Sequence, residues 1–93
     1  MGSARRSRLP GIASVGRIEV HGPGRPAELL LDCLRPKATG HGLGIEHGAT
    51  GTLTVTDVGG RAADPPAFLR GQLDECARLL GVDWHDCFTV TEA

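Results

Sequence analysis

Three short stretches that alternate apolar and polar residues, separated by two stretches whose apolar residues recur at the helical period, constrain this chain more than any other feature. In Val15 to Val20, Ile18 and Val20 alternate with Arg17 and Glu19, the two-residue period of a strand with one buried face. Thr52-Leu53-Thr54-Val55-Thr56 alternates in the same way, with β-branched residues that suit a pleated, half-buried surface. Phe88-Thr89-Val90-Thr91 repeats the pattern and reads as a closing strand.

Between the first two strands, His21-Gly22-Pro23-Gly24 breaks the alternation and Pro26 stands in the first turn of a helix, where a missing N–H costs nothing. Ala27, Leu30, Leu31 and Leu34 form the apolar stripe of that helix, and Pro36 is expected to stop it. From Lys37 to Thr50, glycines interleave with His41 and His47 without sustained periodicity, which predicts an exposed loop. After the turn Asp57-Val58-Gly59-Gly60, Asp64 is placed to cap a second helix opened by Pro65 and Pro66. Its stripe of Leu69, Leu73, Cys76, Ala77 and Leu80 runs on to Gly81, a C-terminal glycine signal. Strands and helices in this order imply a small sheet with both helices on one face.

With 93 residues, 40% of them hydrophobic, the chain suffices for one domain with a modest core. The expected division is a flexible tail over residues 1–14, containing Arg5, Arg6 and Arg8, followed by a domain over 15–93. Ten Lys and Arg against eleven Asp and Glu give a net charge of −1, which argues against direct nucleic-acid or anionic-membrane binding. Only Phe68, Phe88 and Trp84 are aromatic, so a base-stacking platform is not expected either. No apolar run has the length of a secretory signal or a transmembrane helix, and a cytoplasmic location is the expectation.

The chemistry-bearing residues are sparse. Cys33, Cys76 and Cys87 are odd in number and form no C-x-x-C pair, so reduced thiols are expected. Cys33 lies near the apolar stripe of the first helix and Cys76 falls on that of the second, and both read as small core residues. His21, His41, His47, His85 and Cys87 lack the paired spacing of a zinc site, and neither a metal nor a cofactor is expected. His41-Gly42-Leu43-Gly44 lacks the last glycine of a dinucleotide loop, since His47 occupies that place. Ser3, Ser7 and Ser14 precede or edge the structured region, which leaves no serine for a hydrolytic triad.

The organisation resembles the TusA/SirA-like sulfur-carrier family. In that family a strand ends in R-G before a C-P-x-P that opens the first helix; here Gly22 and Pro26 match, Arg25 stands at the cysteine, and Glu28 replaces the second proline. Thr56-Asp57 and Ala63-Asp64-Pro65-Pro66-Ala67-Phe68 look like the family's T-D-P-x-x-x-x-D-I-P-x-F segment. The resemblance spans about Val15 to Thr91, with Gly40 to Gly48 as an insertion. It implies an α/β (α+β) fold, a two-layer β-α-β-α-β-β sandwich with a small mixed sheet and two helices on one face. It also implies that the second helix ends soon after Phe68 and that Cys76 to Val82 forms a strand. That order is the expectation adopted over the periodic one.

Functionally, the resemblance implies a sulfur-relay protein acting through contacts with protein partners of a sulfur-transfer or biosynthetic pathway. The family's cysteine carries a persulfide, and a helix N-terminus stabilises the thiolate it needs. Arg25 offers no thiol, and Cys33 lies about 12 Å further along the helix at 1.5 Å per residue. Cys87, beside His85 and Asp86, is therefore the thiol expected to work if any does. The alternative expectation is a non-catalytic adaptor whose helix start, with His21, Gly22, Arg25 and Pro26, binds an anion or an acidic partner.

Overall fold

A computed structural model describes residues 13–59 and 61–92. Most of the expected tail lies outside the described residues, while Ala13 and Ser14 already belong to the first strand. The order is β1 (Ala13–Val20), α1 (Arg25–Gly40), β2 (Leu43–His47), β3 (Thr52–Asp57), α2 (Pro65–Leu80), a 3₁₀ turn (Trp84–Asp86) and β4 (Phe88–Thr91). The strands form one sheet in the order β2-β3-β1-β4, and every neighbouring pair is antiparallel. Two split β-α-β units interleave, the ferredoxin-like arrangement.

Alternation decides which face is buried. Ile18 lies opposite Leu53 on one side and Val90 on the other, and all three point toward the helices. Leu43, Ile45, Val55 and Phe88 extend that inner face, which receives Leu30, Leu34 and Ala38 from α1 and Leu69, Leu73 and Cys76 from α2. Burying an aliphatic side chain of this kind contributes roughly 1.5–3 kcal/mol. Arg17, Glu19, Thr54 and Thr89 point the other way, so helices cover one face only.

The two-layer sandwich with both helices on one face is the class the sequence implies, but three elements differ from expectation. First, α1 continues past Pro36 to Gly40. Proline removes only the hydrogen bond to the carbonyl of Asp32, an exposed residue that water can serve, and continuation buries Ala38 completely. Second, the expected loop contains a strand. Leu43 and Ile45 alternate inward, while Gly44 and Glu46 lie opposite Thr56 and Thr54 on the other face.

Third, Cys76 to Leu80 belongs to α2 rather than to a strand. Asp64 caps the start by accepting the N–H of Ala67 at 3.2 Å, and Gly81 ends the helix in the left-handed conformation at φ 72°. Cys76, Ala77 and Leu73 are buried at helical spacing, whereas a strand here would alternate the faces of consecutive residues. The order is thus β-α-β-β-α-β instead of β-α-β-α-β-β, and the described sheet is antiparallel rather than mixed.

Beyond α2, Trp84 is buried and donates Nε1–H to Asp74 at 2.7 Å, tying the 3₁₀ turn back to the helix. His85 stacks on that indole with ring centroids 3.9 Å apart. At the opposite end of the helical layer, His41 stacks on Phe68 at 4.1 Å.

Candidate functional site

The main-chain N–H of Val20 donates to the carbonyl of Gly51 at 2.8 Å, so the end of β1 is tied to the β2–β3 turn. Opposite that turn, α1 is entered through Gly24, whose φ of 134° is a conformation that side chains rarely adopt and whose lack of a side chain leaves the helix without a side-chain cap. The space between them is an open groove of about 360 Å³. Val20, Ala27, Leu31 and Leu53 give it an apolar floor, and Glu28, His47, Thr50 and Thr52 add polar groups.

Charge at the helix start is mixed. Arg25 is exposed and lies 3.7 Å from Glu28, itself exposed. An exposed pair of this kind contributes at most a few tenths of a kcal/mol, so Arg25 is readily available to another anion. Glu28 sits in the first turn, where a carboxylate suits the positive end of the helix dipole.

The structure brings three of the residues singled out by sequence together. The N–H groups of His21 and Gly22 both donate to the carbonyl of Cys87, at 2.9 and 3.2 Å. A Cβ on Gly22 would lie 2.2 Å from the carbonyl oxygen of Asp86, so glycine there serves close packing of two loops. Arg25 and Pro26 lie beyond this contact in the first turn of α1 and are exposed. His21 is exposed as well, but Cys87 is buried and packs into the core.

Burial pushes the Cys87 thiol above its ordinary pKa, and the carboxylates of Asp86 and Asp83 push it further. The thiol is consequently protonated and poorly nucleophilic at neutral pH. The neighbouring Asp83 accepts the main-chain N–H of His85 at 3.0 Å and contacts its Nδ1 at 2.9 Å. These two bonds hold the Asp83 carboxyl below its usual range.

The remaining histidines are scattered, with His41 on Phe68 and His47 at the end of β2. Among the described residues, no three His, Cys, Asp or Glu side chains converge as metal ligands would. None of the described helices is long and apolar enough to cross a membrane. The helix-start residues are legible in the sequence but the opposing wall is not, because the glycine-rich segment that holds the β2–β3 turn has the pattern of a loop. The signal that marks it is the inward alternation of Leu43 and Ile45.

Comparison with protein-family models, with curated proteins and with solved structures gives no significant match.

Proposed function

We propose that the chain is a non-catalytic binding module that holds an acidic group with an attached apolar chain in the groove at the start of α1. The observation that carries this reading is the α1 N-terminus, without a side-chain cap, facing an apolar-floored groove across from the β2–β3 turn. Main-chain N–H groups at a helix start, together with Arg25, suit a single carboxylate or similar anion. Val20, Ala27, Leu31 and Leu53 suit the apolar part. Glu28 on the same groove disfavours a polyanion.

The biological ligand in this reading is a protein partner that presents such a group, and the setting suggested by the sequence resemblance is a sulfur-transfer or biosynthetic pathway. A sulfur-carrying role has less physical support. Cys87 adjoins the β1–α1 loop through its main chain, but its thiol is buried and held protonated.

Hexanoate and hexylammonium provide a direct test by NMR titration of the isotopically labelled protein. Hexanoate is expected to move the amide signals of Gly24, Arg25, Ala27 and Gly51 saturably, with weaker binding in Arg25→Ala. Equal shifts from hexylammonium, or none from hexanoate, would refute the proposal.

A further inference from the structure

The face of the sheet that the helices leave uncovered carries its charges at the centre. Glu46, Thr54, Arg17 and Thr91 form one row across the four strands, and Thr52, Glu19 and Thr89 form the next. Arg17 and Glu19 are both exposed. Among the described residues neither has an ion-pair partner in its own chain.

Beside Arg17 the face is dented. A depression of about 300 Å³ is lined by Ser14, Gly16, Arg17, Ala49, Thr52 and Thr54. It lies where a β-bulge between Ser14 and Gly16 bends β1. Its walls offer one guanidinium and three hydroxyls as donors, and none of the lining residues is a carboxylate. Such a set suits an incoming carboxylate.

We propose that the uncovered face docks a second copy of this chain, with Glu19 of each copy entering the depression beside Arg17 of the other. Symmetry supplies the argument. A two-fold axis that crosses β1 over Ile18, at right angles to the strand, lays β1 antiparallel on its copy. Arg17 then lies over Glu19 of the second copy and Glu19 over its Arg17, so one contact is made twice, as a two-fold interface requires. The same rotation sets Thr54 over Thr52 and Thr91 over Thr89, while Glu46 on the edge strand falls over Gly48 and meets no like charge.

Stacking β1 parallel on its copy sets Arg17 on Arg17 and Glu19 on Glu19, which repulsion disfavours. Facing sheets cross at about 30°, so register is tightest at the axis, where the charged pair lies. The face is about 19 Å across four strands and about 17 Å along five residues, at the small end of specific interfaces. A weak, rapidly exchanging dimer with a micromolar dissociation constant is therefore expected. The helix-start groove takes no part in this contact, so the dimer stands independently of the binding proposal.

The test is sedimentation equilibrium of the full chain from micromolar to millimolar concentration, with amide NMR signals followed over the same range. A monomer–dimer equilibrium is expected, with concentration-dependent shifts at Arg17, Glu19, Thr54 and Thr89, and molar salt should weaken it several-fold. Arg17→Glu and Glu19→Arg each set like charges across the axis and should each weaken association by at least about tenfold. Combining the two exchanges restores opposite charges and should restore the dimer. Both side chains are exposed, so urea denaturation should show the variants as stable as the wild type. A chain that stays monomeric at millimolar concentration, a dimer indifferent to either single exchange, a double exchange that fails to restore association, or shifts confined to the helices would each overturn the proposal.

Discussion

Arg70 on α2 reaches the edge strand β4 and donates Nη2–H to the carbonyl of Val90 at 2.9 Å. The other edge has a counterpart, since Arg35 on α1 donates to the carbonyl of Ile45 on β2 at 2.7 Å. A covered carbonyl is one fewer template for an added strand. Each bond contributes about 0.5–1.5 kcal/mol to folding. Arg35→Ala and Arg70→Ala should each lower stability in urea denaturation by that amount. The double variant should also form thioflavin-positive aggregates faster than the wild type on mild heating, and equal aggregation rates would count against edge protection.

Glycines 22 and 71 should respond oppositely to alanine. At Gly22 the added methyl meets the Asp86 carbonyl, which forces the β1–α1 loop away from Cys87 and strains both main-chain hydrogen bonds. A loss of about 2 kcal/mol or more is expected. Gly71 lies inside α2 with nothing within 4 Å of a Cβ, and alanine there should stabilise the protein by about 1 kcal/mol. Chemical denaturation of the two variants gives the comparison directly.

Alkaline pH should weaken the fold through Cys76. Burial first, and then the neighbouring Cys33 thiol, raise its thiol to about 12 from a reference of 9.0. The folded state therefore keeps a proton that the unfolded chain releases. The associated stability is complete below about pH 9 and is lost as pH rises toward 12, with a slope of at most about 1.4 kcal/mol per pH unit for one group. Cys76→Ala should flatten most of that slope in urea titrations between pH 8 and 11, a range set by the same shift.

Acid should act through Asp83. The hydrogen bonds from His85 lower its folded pKa, so its contribution is present above the unfolded value near 3.8 and fades as pH falls through the lower folded one. Asp83→Asn should lose little at pH 3 and more at pH 6, with the difference visible in thermal midpoints measured across that interval. An identical loss at both values would show that the carboxylate charge is irrelevant.

How much was legible in the sequence follows from the strength of each local pattern. β1, β3, β4 and the starts of both helices were readable because alternation, Pro26, Asp64 and Pro65 act within a few residues. The helical stripe to Leu80 was readable too, and following the family resemblance instead displaced it. β2 was not, because two apolar residues separated by Gly44 have little strand preference alone and gain it by pairing with β3. Of the site, Arg25 and Pro26 were visible, but the groove depends on the β2–β3 turn approaching Val20, a contact between distant residues.

The sheet order also sets a timetable for synthesis. β1 is translated before its neighbours β3 and β4, so a ribosome-bound chain carries an unpaired central strand until Thr52–Asp57 has left the exit tunnel. Its second partner arrives only with Phe88–Thr91, and the main-chain bonds from His21 and Gly22 to Cys87 arrive at the same moment. A stall between these two points leaves Ile18 with one flank open, a state in which a chaperone has most to hold.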